Sequence, residues 1–183
     1  MSSWRKFEHT LGGSNSLHTC AYKIDLRSDV IEVGFSAEKW PLHGVPAEPG
    51  EFYEGLWRGD CAEFWVAPPG STRYIEFNLA PNGAWWACVF KERRVRDLAC
   101  IPPQCFVESF VDEGIGWKTN LRVSMSEIAR CLYESDELIG NATLIIDGCP
   151  DVDPIVENLL TAVPLGAVDF HRPQDWVSLS ELD

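Results

Sequence analysis

Apolar and polar positions alternate with a period of two along a series of short segments of this chain, the pattern of strands that turn one face to a core. β-branched and aromatic residues concentrate in segments 17–26, 30–36, 60–67, 72–79, 84–91, 105–111, 115–123 and 141–147. Turn residues punctuate the intervals at Gly12-Gly13, Pro46 to Gly50, Pro68-Pro69-Gly70, Pro81-Asn82-Gly83, Pro102-Pro103, Gly114 to Gly116 and Gly148 to Pro150. Short strands at that spacing predict an all-β fold, an antiparallel, jelly-roll-like β-sandwich. One short helix is expected after the strand that ends near Val123, because Ser124 and Glu127 form a capping box that opens Met125 to Tyr133. A weaker helical signal covers Pro154 to Leu160, and no internal repeat is visible.

Two hairpin loops set the register of three successive strands. With Pro68-Pro69-Gly70-Ser71 as the first loop, Trp65 faces Tyr74, Glu63 faces Glu76 and Cys61 faces Asn78. With Ala80-Pro81-Asn82-Gly83 as the second, Leu79 faces Ala84, Asn78 faces Trp85 and Phe77 faces Trp86, and a tighter turn at Asn82-Gly83 keeps the same parity. Side chains alternate across a strand, so one face would carry Ala62, Phe64, Val66, Ile75, Phe77, Leu79, Trp86, Cys88 and Phe90, a core. The opposite face would carry Glu63, Trp65, Tyr74, Glu76, Asn78 and Trp85. Segment 115–123 divides likewise, with Ile115, Trp117, Leu121 and Val123 on one side and Lys118, Asn120 and Arg122 on the other. On this register Trp86 and Trp117 belong to the core, while Trp85 and Trp57 are the rings free to meet a ligand.

The 183 residues suit a single domain over 1–183, with 45% hydrophobic and 23% charged residues, an ordinary globular composition. A net charge of -13 with no basic cluster longer than Lys91 to Arg96 argues against nucleic acid, which needs a basic face. No run approaches the roughly 20 apolar residues of a membrane helix. The first fifteen residues hold no apolar core of a signal peptide, so the expected setting is the cytoplasm. Seven cysteines, an odd number without a CxxC pair, read as reduced thiols rather than a disulfide framework. Cys100 and Cys105 lack a second ligand pair at a zinc spacing.

Large rings beside carboxylate and amide groups are what saccharide recognition requires. A pyranose stacks its C–H face on an aromatic plane, and its hydroxyl edge needs directional donors and acceptors. The alternative is that a loop or a second chain covers the rings, which leaves a homodimer open. The stretch LWRGDCAEFWVAPPGSTRYIEFNLAPNGAWW, from Leu56 to Trp86, resembles the central segment of family 9 carbohydrate-binding modules and the wider DOMON-like β-sandwich group. WKTNLRVSMSEI is similar to the family's tryptophan strand, and DFHRPQDWVSL to its closing Phe-His-x-Pro element. The resemblance implies a non-catalytic sandwich that binds sugar, normally on secreted proteins, with Trp57 stacking on the ring and Glu63 taking hydroxyls. The family's second tryptophan would fall in TAVPLGAV, which has no aromatic residue, so Trp85 or Trp65 would have to substitute.

The expected ligand face is therefore Trp57, Glu63, Trp65, Tyr74, Glu76, Asn78 and Trp85, with Asn120 and Arg122 from a neighbouring strand, and the expected ligand a saccharide or other small polar molecule. Two rival readings use other chemistry. Glu63 directly opposite Glu76 would place two carboxyl groups at the separation of a retaining glycosidase, with Arg122, Lys118 or a bound Ca²⁺ to offset their repulsion. A DOMON-like haem domain would need an axial pair from Met125 and one of His18, His43 or His171; His171 is expected to bond within the closing element instead. Asp147, Asp151 and Asp153 match no calcium-loop spacing and read as a solvated turn, as do Arg93, Arg94 and Arg96.

Overall fold

The alternating segments do form strands, and their pairing makes two sheets. The computed structural model describes residues 3–41, 44–112, 114–133, 135, 137–149, 151–153 and 155–183. The expected positions Pro150, Pro154 and His43 lie outside the described residues. In chain order the strands are β1 (Arg5–Lys6), β2 (His9–Thr10), β3 (Cys20–Leu26), β4 (Val30–Ala37), β5 (Cys61–Ala67), β6 (Tyr74–Leu79) and β7 (Trp85–Glu92). They continue as β8 (Val95–Arg96), β9 (Cys105–Asp112), β10 (Gly116–Ser124), β11 (Ile139–Ile145), β12 (Leu159–Thr161) and β13 (Val177–Ser178). Helices α1 (Met125–Leu132) and α2 (Leu179–Leu182) complete the list.

One sheet has the order β1-β3-β4-β10-β9, the other β2-β12-β11-β5-β6-β7-β8, with β13 paired to the start of β11. The pairings are antiparallel, as the sandwich prediction requires. Between the sheets lies the main core, in which Ile24, Val33, Phe35, Trp117 and Leu121 meet Phe64, Ile75, Phe77, Val89 and Leu144. A second apolar cluster, including Leu11, Leu56, Trp65, Tyr74, Trp86, Phe90, Phe170 and Trp176, covers the outer face of the second sheet. β5 and β6 are consequently buried along their whole length.

Helix α1 starts where Ser124 predicts, its hydroxyl accepting the Glu127 N–H at 3.2 Å. The box is not reciprocal: the Glu127 carboxylate takes the Gln104 N–H and the Arg130 guanidinium. Tyr133, with φ of 67°, has already left the helix. Of the expected helical segment, the described residues 155–160 are not a regular helix, since a single 3-10 turn at Val156–Asn158 runs directly into β12.

Both hairpin registers differ from expectation, with different consequences. Thr72 and Arg73 belong to the first loop, because Thr72 bonds the Lys91 carbonyl and Arg73 reaches the Cys131 carbonyl at 2.6 Å and Asp97 at 2.7 Å. Glu63 therefore faces Asn78 and Trp65 faces Glu76, a shift of two that leaves every β5 and β6 side chain on its predicted face. In the second hairpin Ala80 and Ala84 close a three-residue loop in which Gly83 has φ of 92°, the left-handed position of a bulged turn. An odd loop reverses parity, so Leu79 pairs with Trp85 and Asn78 with Trp86. Trp85, Ala87 and Val89 face the main core, while Trp86, Cys88 and Phe90 join the outer cluster, the reverse of the expected assignment. Ile115, also expected in the core, is exposed.

Chemical denaturation should register these placements: Trp117→Ala is expected to lower stability by about 3–5 kcal/mol, and Ser124→Ala, which removes one cap bond, by about 1 kcal/mol.

Candidate functional site

The outer cluster of the second sheet encloses a cavity of about 490 Å³. Its floor is Glu63 and Trp65 from β5 and Glu76 from β6; Trp86 and Phe90 rise beside them from β7. Trp57 comes from a 3-10 turn, Leu56–Arg58, which enters through Gly55 at φ of 98°. Its ring meets Trp86 edge-on, with centroids 5.3 Å apart at 64°. Arg94 and Arg96 reach the cavity from the β7–β8 hairpin, and Asp169, Phe170 and His171 from the closing segment.

Hydrogen bonds fix the floor. Trp65 Nε1 donates to Thr143 Oγ1 at 2.9 Å, and that hydroxyl donates to Glu63 Oε2 at 2.8 Å, across the directly paired β5 and β11 positions. Asn78 Nδ2 donates to Glu76 Oε1 at 2.9 Å. The Tyr74 hydroxyl accepts the Arg94 N–H at 3.0 Å and, having no other acceptor among the described residues, gives its own proton to His171 Nδ1 at 2.7 Å. The imidazole proton is thereby held on Nε2, 4.0 Å from Glu76 Oε2. At the rim, Asp169 accepts from Arg93, from Arg94 at 2.7 Å and from the His171 N–H at 3.1 Å. Arg96 pairs with Glu54 at 2.7 Å and lies over the Trp86 ring at 5.0 Å.

Glu63 and Glu76 are 2% and 5% exposed and have no Lys or Arg ion-pair partner among the described residues. Burial pushes Glu63 up to about 7, opposed in part by the Thr143 bond. Burial and then the charge of Glu63 hold Glu76 well above the usual carboxylate range. Burial, with Arg94 second, lowers His171 to about 4, so its ring is neutral at pH 7. Burial works to raise Asp169, but its bonds from Arg93, His171 and Arg94 leave it lowered. The site at neutral pH is an ionised rim around a floor that retains a proton.

Of the residues expected from sequence, Trp57, Glu63, Trp65 and Glu76 line the cavity, while Tyr74 and Asn78 stand behind it as hydrogen-bond partners. Trp85 does not belong: it packs against the main core and, edge-on, Phe52. Asn120 and Arg122, expected beside the ligand face, lie on β10 of the other sheet, where Arg122 pairs with Glu32 at 2.9 Å. Nor can Arg122 or Lys118 offset the glutamates from there. The basic stretch read as a solvated loop instead supplies Arg94 and Arg96, and His171 bonds within the closing element through its backbone N–H to Asp169 while its ring bonds Tyr74 across the site. Trp86, Phe90 and the rim were missed; the signal was the odd loop at Pro81-Asn82-Gly83, which reverses the face of β7.

The rival geometries fare differently from the floor. Glu63 and Glu76 are diagonal neighbours, not a directly opposed pair. Met125 packs against the main core, whereas His171 lies beyond the second sheet and His18 bonds Asn158 at 3.0 Å. No Met–His pair therefore spans a pocket among the described residues. Asp147 pairs with Lys39, and Asp153 sits at the cavity rim. No group of three metal-ligating side chains occurs among the described residues.

No known family's sequence profile matches the chain, and no curated protein matches it by sequence. Solved structures do match in fold. A candidate carbohydrate-binding protein from Bacteroides uniformis superposes with a TM-score of 0.67 at 16% identity, over 88% of this chain and 77% of the other. A family 9 carbohydrate-binding module from Caldicellulosiruptor kristjanssonii in complex with glucose gives 0.64 at 7% identity, over 97% and 82%. One from the same organism in complex with cellotriose gives 0.56 at 8%, over 88% and 73%. The chain has the β-sandwich fold of the family 9 modules.

The raised glutamates make stability pH-dependent. Glutamates ionise near 4.5 in the unfolded chain but higher here, so the folded state holds extra protons and stability falls as pH rises through that interval. Asp60, raised to about 6 by burial, contributes the same sign at lower pH; His171, lowered to about 4, contributes the opposite sign, complete by about its ordinary 6.5. Urea denaturation from pH 6.5 to 8, below the range where the buried thiols add a loss of the same sign, is thus expected to show a loss of stability in the wild type. The double variant Glu63→Gln/Glu76→Gln should lose most of that slope.

Proposed function

We propose that this chain is a non-catalytic saccharide-recognition module that holds a sugar ring in the cavity on the outer face of the second sheet. The observation that carries the reading is the meeting of Trp57 and Trp86 with the buried acceptors Glu63 and Glu76 in one cavity of about 490 Å³. That volume falls within the roughly 300–1,000 Å³ of small-molecule sites. Either indole can take the apolar face of a pyranose, and the floor can take its hydroxyls. The 4.0 Å gap between His171 Nε2 and Glu76 Oε2 is too long for a direct bond. A ligand hydroxyl can bridge them, accepting from the imidazole and bonding the Glu76 carboxyl group.

Two considerations support binding without turnover. A retaining glycosidase needs two carboxyl groups flanking the scissile bond, about 5–5.5 Å apart; here both rise from adjacent strands of one sheet and lie at the floor of one cavity. The fold likeness adds a second support, since two of the matched structures are carbohydrate-binding modules solved with glucose and with cellotriose.

A glycan array read beside tryptophan fluorescence tests this. A saturable quench is expected with at least one saccharide, weakened about tenfold or more by Trp86→Ala and by Glu63→Gln, with the far-UV spectrum unchanged. Trp85→Ala, on the core side, should lose stability but not the stacking contact. Turnover of an aryl glycoside that disappears in Glu63→Gln would replace binding by catalysis.

A further inference from the structure

We infer that the ligand this cavity selects carries a protonated amine, as an amino sugar does, in preference to a neutral pyranose; the inference rests on the saccharide reading of the cavity. Charge balance within the site is the first ground. Every cation at the rim is already held by a carboxylate there, Arg93 and Arg94 sharing Asp169 and Arg96 pairing with Glu54. The two floor carboxylates have neutral partners instead: the Thr143 hydroxyl, the Asn78 amide and, at 4.0 Å, His171, whose proton is fixed on Nε2 by Tyr74. The floor carboxyl groups are thus acidic groups of the site with no cation bonded to them among the described residues.

Hydrogen-bonding capacity is the second ground. Glu63 accepts a hydrogen bond at one carboxyl oxygen and Glu76 at one, which leaves the second oxygen of each without a donor among the described residues. The floor is short of donors. A sugar hydroxyl offers one, whereas an ammonium offers three together with the opposite charge. The aromatic walls are the third ground: Trp57, Trp86 and Phe90 present rings whose faces attract cations, and Trp86 already has the Arg96 guanidinium 5.0 Å from its centroid.

The empty site meets the same demand with a proton, which burial holds on the glutamate pair. An incoming ammonium supplies the positive charge in its place. Binding then releases up to one proton to solvent, and the amine keeps all of its own.

Titration calorimetry with glucosamine, glucose and N-acetylglucosamine, in EDTA and in two buffers of different ionisation enthalpy, tests the inference. Glucosamine is expected to bind at least tenfold more tightly than glucose or N-acetylglucosamine, with proton release. Glu76→Gln should bring the glucosamine-to-glucose affinity ratio toward one; Arg122→Ala, on the other sheet, should not change it. Equal affinity for glucosamine and glucose overturns the amine inference and leaves the saccharide reading standing. Calcium chloride that binds with a stoichiometry of one and abolishes the preference also overturns it, by making the floor a metal site. Cyclohexylamine against cyclohexanol separates the two ideas: if the amine binds and no sugar does, amine selection stands and the saccharide reading falls. If none of these probes binds, both fall.

Discussion

A sheet covered on both faces has no solvent side on which to place a charge, and β5 and β6 are strands of that kind. Glu63, Glu76 and Asn78 point away from the main core yet are still buried, under Trp57, Trp86 and the closing segment. Desolvating an ion typically costs several kcal/mol in a protein interior. Two carboxylates side by side add repulsion. Apolar residues of similar volume would pack such a layer at less expense. The pair makes physical sense only with respect to something that enters the cavity, and that constraint orders the features around it.

The surrounding structure limits the penalty without removing it. Thr143 is the direct cross-strand neighbour of Glu63 and passes the orientation of Trp65 on to it through one hydroxyl. On the other side, the Arg94 N–H sets Tyr74, Tyr74 sets the tautomer of His171, and His171 turns its remaining N–H toward Glu76. These partners come from β11, the β7–β8 hairpin and the segment 169–171, well separated in the chain. Asp169 joins the last two, because it binds Arg93 and Arg94 while accepting the His171 N–H. The closing segment is thus held to the sheet by ion pairs at the rim and by Tyr74 at depth.

How far the chain could be read without coordinates depended on parity. Period-two alternation identified the longer strands, and Ser124 located α1, because both signals are local. The short strands β1, β2, β8, β12 and β13 are two or three residues long and carry no measurable alternation. The first hairpin was misjudged by two residues with no effect on faces, so Glu63, Trp65 and Glu76 were assigned to the ligand side from sequence alone. The second was misjudged by one, and Trp85 exchanged places with Trp86. Pro81-Asn82-Gly83 suits either an even turn or a bulged three-residue loop, and Trp85-Trp86 offers an indole to each face, so composition could not decide. Arg94, Arg96, Asp169 and His171 were invisible for another reason: ion pairs between segments some 75 residues apart leave no periodic trace.

The walls bear on what the cavity can discriminate. Trp57 and Trp86 meet at 64°, so they do not form parallel plates around one ring, and the loop 161–168 contributes Val168 to the lining. A pyranose can therefore stack fully on one indole only. An aromatic contact of that kind contributes about 0.5–1.5 kcal/mol beyond its buried area, and it differs little between one hexose and another. Hydrogen bonds to charged groups contribute about 1.5–3 kcal/mol each, and a donor missing from the ligand leaves a buried carboxylate unpaired. With only one stacking plane, the proposed selectivity passes from the walls to the floor, where Glu63, Glu76 and the Nε2 proton of His171 would distinguish ligands by the donors and charge they bring.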